Sequence, residues 1–362
     1  MSKIEYDNII AFHPGYYIKD IIEDMELTQE EFAIRLGTSP KNLSELLSGK
    51  IKLSTDLAGK LSVMLGTSID VWLNLEKTYE EKLIEIEQKK KMNEQIEIVK
   101  QIDYNYFKKL GLQDTKNNEE KVVNLCYFFM ISSLMVLTQK DFLINYRTGV
   151  NQVNYKNIIN SRAWVQTAIN MGKKNETKKF NKEKLEEDIS KIRSMTTSSP
   201  EQFLPKLREI FADCGVSFVL LPNLKNCGIN GAVKWLNNDK VILAMNDRRH
   251  YADTFWFSLF HEIKHVLQHK TKELIVSLEQ VEFETFDSNL EKEADEFAKN
   301  TLIPIDKYNY FIKQNNLSKI GIENFANSIG IHPGIVVGRL QKDRYIDYNE
   351  FNSFREKYKI VI

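Results

Sequence analysis

The chain has 362 residues, 50 lysines and arginines against 50 aspartates and glutamates, and 28% charged residues overall. Zero formal net charge excludes any global electrostatic pull toward nucleic acid or membrane, and the length suits two or three domains, each able to bury a core. Cys126, Cys214 and Cys227 are too few and too scattered for a disulfide framework or a metal-binding cysteine pair, and are expected to be reduced core thiols in a cytoplasmic protein.

Residues 1–75 are expected to form one domain, in which 10–75 read as a block of short helices. Thr28 caps a helix carrying Phe32, Ala33 and Leu36; Gly37-Thr38-Ser39 makes a tight turn; and Pro40 opens a helix through Leu43, Leu46 and Leu47. Gly49 ends that helix and Ser54 caps another, with Leu57, Ala58, Leu61 and Leu65 on one face. Helix, glycine-containing turn, helix is the layout that sets its second helix into the DNA major groove. Residues 1–75 carry seven basic against eleven acidic residues, while 35–60 carry Arg35, Lys41, Lys50, Lys52 and Lys60 against Glu45 and Asp56. A basic stripe on an acidic domain can bind DNA, with an affinity that leans on dimerisation and falls with salt. A helical protein-interaction module is the competing reading.

His13-Pro14-Gly15, Thr28-Gln29-Glu30-Glu31-Phe32-Ala33, Leu36-Gly37, Ser48-Gly49-Lys50 and Trp72-Leu73-Asn74-Leu75 closely resemble the Cro/C1-type (XRE) helix-turn-helix fold in its HigA antitoxin version. That resemblance implies a lambda-repressor-like domain of five helices whose recognition helix spans Pro40 to Leu47. It implies that Ser39, Lys41, Asn42 and Ser44 face base edges while Gln29, Lys50 and Lys52 meet phosphates.

Residues 76–103 are rich in lysine and glutamate, with Tyr79, Leu83, Ile86 and Ile96 on a loose stripe. They are expected to form a solvated linker helix that leaves room for dimer contacts, since a heptad fails at Lys90 and Asn93. Residues 104–212 read as a helical middle region without evident chemistry, with Trp164 and Leu185 to Ile192 in amphipathic pieces and Lys173 to Lys184 a solvated charge run. The apolar run Leu125 to Leu137 is too short to cross a bilayer and reads as a buried helix, and Met1 to Tyr6 lacks an apolar export signal. No membrane partner is expected.

From 213 to 362 the pattern changes. Strands are predicted at Val216–Leu221, Ala232–Leu236 and Val241–Met245, with a turn at Asn237-Asn238-Asp239. Then comes His261-Glu262-Ile263-Lys264-His265. On a helix, residues four apart share a face, so both imidazoles can grip one metal ion while Glu262 lies beside the open coordination position as general base. Trp256, Phe260, Ile263 and Leu267 recur at helical spacing, giving that helix a buried side. A second helix is expected from Asn289 through Leu302 to a stop at Pro304. Glu291 fits as third ligand and Asp295, four residues on, as the acid orienting one imidazole; Glu293 is the rival ligand. Solvated surface is the expectation for Lys264, and His250 and His269 have weaker claims to the site.

Gly215 to Val219, Ile229-Asn230-Gly231-Ala232, Phe257 to Glu262, Glu291-x-x-Ala294-Asp295-x-Phe297-Ala298 and Leu302-Ile303-Pro304 resemble the ImmA/IrrE family of zinc metallopeptidases. The resemblance covers about a quarter of the chain. It implies a zincin-like domain with a small sheet, Zn2+ held by His261, His265 and Glu291, and Glu262 as general base. Lys264 departs from the small residue that many members carry there. A peptide substrate is expected to extend along a sheet edge near Ala232 to Leu236.

The expectation is therefore an α+β, mostly helical chain in which a DNA-reading head is joined to a zinc peptidase. It would bind an operator as a homodimer and cleave a repressor, a toxin or itself. The alternative is a HigA-like antitoxin whose zinc domain binds a toxin or ligand without hydrolysis.

Overall fold

The computed structural model describes residues 2–139, 155–247, 251–268, 274–278 and 288–358, and it is α+β and mostly helical. Two compact units divide the chain, Met1–Ile96 and Glu97–Ile362.

The first unit opens with an antiparallel hairpin, β1 (Lys3–Tyr6) and β2 (Ile9–Phe12), followed by α1 (Pro14–Asp24), α2 (Gln29–Leu36), α3 (Pro40–Leu47), α4 (Thr55–Leu65) and α5 (Ile69–Val99). Each short helix is stopped and started by its own side chains. Thr28 forms a capping box with Glu31, Gly37 closes α2 in the left-handed region at φ 66°, and the Ser39 hydroxyl accepts from Asn42 N–H to start α3. Phe32, Leu43, Leu46, Leu61 and Trp72 form the buried core. Gly15 is needed where α1 crosses α3, because a Cβ there would stand 2.2 Å from the Leu46 carbonyl oxygen.

The hairpin escapes the sequence reading. It packs on α5 through Tyr79, Leu83 and Ile86, and Asn93 donates to the Tyr6 hydroxyl at 3.0 Å. The stripe expected to be solvated is therefore covered in part by the chain's own N-terminal strands.

The second unit is built on a four-stranded sheet of order β3-β5-β4-β6, with β3 (Val216–Leu221), β4 (Ile229–Asn237), β5 (Lys240–Asn246) and β6 (Leu274–Leu278). β3 runs parallel to β5, and β4 is antiparallel to both β5 and β6. The sequence reading leaves Ala232 to Leu236 at an edge. Instead, β6 pairs with Ile229 to Lys234, so the edge expected to take a substrate is already occupied.

Helices cover both faces of the sheet, which explains the unbroken burial of β3. α6 (Tyr104–Lys109), α7 (Asn118–Phe129), α8 (Tyr155–Lys174), α9 (Lys182–Ser194) and α10 (Pro200–Asp213) precede it. α8 lies across β3 and β5, where Ser217 donates to the Gly172 carbonyl and Ile242 leaves no room for a Cβ on Gly172. Leu125 to Leu137 is not one helix: α7 stops at Phe129, Met130 takes φ 57°, and a 3-10 turn follows at Leu134–Thr138. The expected solvated charge run is pinned too, with Phe180 edge-on to Trp235 and Lys178 and Lys184 both on Asp213.

The opposite face carries α11 (Ala252–Leu267), backed by α12 (Ser288–Leu302), α13 (Ile305–Gln314), α14 (Lys319–Ile329) and α15 (Pro333–Lys342). Val216, Phe218, Val233, Trp235, Leu243 and Met245 meet Trp256, Leu259, Phe260 and Ile263 in one core. The C-terminal segment holds the start of α11: Trp256 donates to the Tyr358 hydroxyl at 2.8 Å, and Arg355 forks onto Asp253. His13 and His332 do the same local work in two His-Pro-Gly tripeptides, each Nδ1 accepting from the glycine N–H that opens a helix. Among the described residues no helix is long and apolar enough to cross a membrane.

Candidate functional site

The apolar stripe of α11 fixes what its other residues face. With Trp256, Leu259, Phe260 and Ile263 committed to the core, His261 and His265 turn together toward α12, their Nε2 atoms 3.0 Å apart. α12 approaches closely because its contact residues, Ala294 and Ala298, are small and fully buried. That approach brings Glu291 Oε2 to 3.1 Å from His261 Nε2 and Oε1 to 3.3 Å from His265 Nε2.

The outward nitrogens are also engaged. His261 Nδ1 meets Asp295 Oδ1 at 2.9 Å, and His265 Nδ1 meets the Gln268 side-chain oxygen at 2.8 Å. Both outer partners accept, so each Nδ1 donates, and a ring that gives up its Nε2 proton to a metal turns that lone pair inward. Two imidazole lone pairs and a carboxylate then converge on one point, with their donor atoms within 4.8 Å of one another. Such a cluster repels itself unless a cation lies among the donors, and spacings of 3.0–3.3 Å suit ligands about 2.0–2.1 Å from a small metal ion. The residues fit a metal.

Electrostatics agree. Burial works against a charged His261, but the hydrogen bonds to Asp295 and Glu291 and the nearby Glu262 outweigh it and raise its pKa. His265 is raised as well, burial again being overcome by Glu291 and Glu262. Burial alone would raise Glu291, yet its bonds to the two imidazoles hold it well below the ordinary carboxylate range. The site attracts positive charge at its centre.

Glu262 lies close enough to both imidazoles to raise them, packs against β4 and is fully buried. A Cβ at residue 231 would stand 2.3 Å from Glu262 Oε1, so glycine there lets the strand backbone lie directly against the carboxylate. Sequence reasoning quoted Gly231 only as part of a motif. Its signal was a glycine inside a strand pattern, which marks close approach of another group.

Glu293, the rival to Glu291, is half exposed and turned aside. Its Oε2 accepts from the Gln268 side-chain nitrogen at 3.3 Å and lies 3.8 Å from Lys264 Nζ. Lys264 is not surrounded by solvent as expected: it reaches Glu293 and lies 5.8 Å from the Phe297 ring centroid. His250 and His269 lie outside the described residues.

In the first unit, Gln29, Ser39, Lys41, Ser44, Lys50 and Lys52 are exposed and Asn42 is half-buried. Lys41 and Ser44 are exposed on α3. Ser39 and Asn42 have part of their capacity spent locally: Ser39 caps α3, and the Asn42 side-chain nitrogen donates to Thr38 at 2.9 Å. Lys52 is paired with Glu80 on α5. Exposed ion pairs of this kind exchange readily with other partners, so the contact does not remove Lys52 from a phosphate-binding surface.

Comparisons with known proteins divide along the same lines. A helix-turn-helix family model matches residues 18–72, and the IrrE N-terminal-like domain of the M78 peptidase family matches residues 231–340, a span that holds Gly231, Glu262, both imidazoles and Glu291. Over 66 residues the chain is 36% identical to the uncharacterized HTH-type transcriptional regulator YddM of Escherichia coli K12, which is 18% of this chain and 70% of that protein. Among solved structures, it is similar to a proposed antidote protein of a plasmid maintenance system from Nostoc punctiforme, with 28% identity, TM-score 0.23, and coverage of 23% of this chain and 92% of that one. An addiction module antidote protein of the HigA family from Coxiella burnetii matches at 24% identity and TM-score 0.21, covering 23% and 91%. The chain belongs to the helix-turn-helix transcriptional regulators and joins that head to an IrrE-like domain of the M78 peptidase family.

Proposed function

We propose that this regulator is a cytoplasmic, zinc-dependent endopeptidase that cleaves a protein partner or itself, with its head bound as a homodimer to an inverted-repeat operator. The observation that carries the reading is the convergence of His261, His265 and Glu291 on one point with Glu262 buried beside them. Two imidazole nitrogens and one carboxylate make a donor set suited to zinc, and three protein ligands leave a position for substrate. A zinc ion held there supplies Lewis acidity toward a peptide carbonyl.

The chain's own residues do the rest. Glu262 takes a proton from the attacking water as its oxygen bonds to the carbonyl carbon, then delivers that proton to the amide nitrogen as the carbon–nitrogen bond breaks. Its burial against Gly231 excludes bulk water and fixes the carboxylate before substrate arrives. Asp295 holds His261 in the orientation that turns its Nε2 inward. A purely structural site needs no buried carboxylate at position 262, and this favours hydrolysis over a binding-only module.

On the DNA side, Lys41, Asn42, Ser39 and Ser44 on and before α3 are proposed to read bases, and Gln29, Lys50 and Lys52 to hold phosphates. The HigA likeness makes a toxin or another repressor the favoured class of protein partner, and the chain's own promoter the favoured operator.

Metal analysis of the purified full chain tests the centre. Wild type is expected to carry about one zinc per chain, whereas His261→Ala and Glu291→Ala lower occupancy sharply. Full zinc in the Glu291 variant would move the carboxylate ligand elsewhere and defeat the assignment.

A further inference from the structure

We propose that Gln268 is a positioning residue of the metal centre, whose single carboxamide sets the orientation of His265 and the placement of the helix end that carries Glu291. The inference rests on the metal-binding role proposed above for His261, His265 and Glu291.

Gln268 is the C-cap of α11 and follows His265 by three positions, so its side chain lies on the same face as the imidazole. Its Oε1 is 2.8 Å from His265 Nδ1. Its Nε2 donates to the Leu290 carbonyl at 3.1 Å and to Glu293 at 3.3 Å. Leu290 immediately precedes Glu291. One planar group therefore touches the ring of one proposed ligand and the backbone beside another.

Only a carboxamide can make this arrangement, since it offers an acceptor and two donors on opposite corners. The amide orientation follows from its surroundings: reversed, it would set nitrogen against the Nδ1–H and oxygen against the Leu290 oxygen. His265 is fully buried, so its Nδ1–H depends on a protein acceptor, and Gln268 supplies it. A ring that lost this partner would be free to rotate or to carry its proton on Nε2, the nitrogen that faces Glu291.

The two imidazoles are thus held differently, His261 by a carboxylate and His265 by a neutral amide. The neutral partner orients its ring without adding another negative charge beside Glu293, whose carboxylate already accepts from the same amide. Asp295 supplies charge and Gln268 supplies geometry.

The test uses the full zinc-loaded chain labelled with 15N-histidine, in wild type, Gln268→Met and Gln268→Glu. Gln268→Met keeps the length of the side chain and removes both hydrogen-bonding ends. It is expected to weaken zinc binding by about 10–100-fold in chelator competition. It should also move the His265 Nδ1–H resonance upfield with faster solvent exchange, leaving that of His261 in place. Gln268→Glu restores the acceptor for His265 but sets a carboxylate against Glu293 and the Leu290 carbonyl, so the resonance returns while affinity recovers only in part. Wild-type affinity with an unmoved resonance in Gln268→Met overturns the proposal. So does weakened affinity accompanied by a lowered melting temperature and an unmoved resonance, the pattern of a merely structural residue. A wild-type chain that takes up no zinc is a different result, because it overturns the reading of the whole centre.

Discussion

Replacing Gly231 with alanine separates the placement of Glu262 from the metal ligands. The added Cβ would stand 2.3 Å from Glu262 Oε1, 2.5 Å from Cδ and 2.7 Å from Cγ, where ordinary contact begins at 3.4 Å. β4 has little room to retreat, since β5 and β6 fix its register on both sides. The carboxylate must therefore move by about 1.1 Å, and displacement on that scale costs about 10²-fold in rate when the group takes part in the reaction. Overpacking of a tight core costs about 1–3 kcal/mol, which lowers the melting temperature of a unit this size by several degrees. Zinc content should stay near one per chain, because the atoms nearest a Cβ at residue 231 all belong to Glu262, whereas the proposed ligands His261, His265 and Glu291 converge between α11 and α12. The assay compares cleavage of a fluorogenic denatured protein with zinc content and melting temperature on the same preparations. Cleavage by Gly231→Ala within about threefold of wild type would show that the buried position of Glu262 is not the catalytic one.

Other consequences concern the ligand set, pH and DNA. Glu293→Ala should leave zinc stoichiometry unchanged, since Glu293 meets Lys264 and Gln268 and not the imidazoles; loss of zinc in that variant would reassign the carboxylate. In the metal-free chain, His261 is raised from 6.5 to about 10, so its contribution to stability is full below pH 6.5 and is lost as pH rises toward 10. Glu291 is lowered from 4.5 to about 2, so its contribution is present above pH 4.5 and is lost as pH falls toward 2. Melting of the metal-free chain should therefore peak between about pH 4.5 and 6.5, and His261→Ala should flatten the alkaline limb; an unchanged limb refutes the assignment. For DNA, Lys52→Ala should weaken binding to all sequences alike and reduce the salt slope by about 0.9. Lys41→Ala with Asn42→Ala should remove sequence preference, and operator binding indifferent to that pair contradicts the assignment of α3 as the reading helix.

What could be read from the sequence is what depends on local periodicity. The caps at Thr28 and Ser54 and the turn at Gly37-Thr38-Ser39 before Pro40 announce themselves within three or four residues, and the head follows from them. His261 and His265 are four apart on a helix whose other side is visibly apolar, so their common face needs no tertiary knowledge. What depends on pairing across the chain stayed hidden. The strand Leu274–Leu278 is a short apolar run in a polar stretch, and nothing local says that it lies against Ile229 to Lys234 and removes that edge. The hairpin at Lys3–Phe12 has strands of only four residues, and it packs on Tyr79, Leu83 and Ile86 far along the chain. Glu291 and Glu293 lie two apart on α12, and the docking of Ala294 and Ala298 on α11 sets which of them meets the imidazoles. Gln268 carries no ligand signal of its own in the sequence, although its spacing from His265 is that of one helical turn.

A buried carboxylate beside the proposed zinc centre is what would make this regulator a peptidase. The most direct measurement incubates zinc-loaded wild type and Glu262→Gln, matched for zinc content, with the product of the adjacent gene and with the chain itself, and follows the fragments by mass spectrometry. The account predicts a cut in wild type that is abolished by chelation, restored by zinc and absent in Glu262→Gln. Equal cutting by both forms, or no cut by either while DNA binding stays intact, would contradict it.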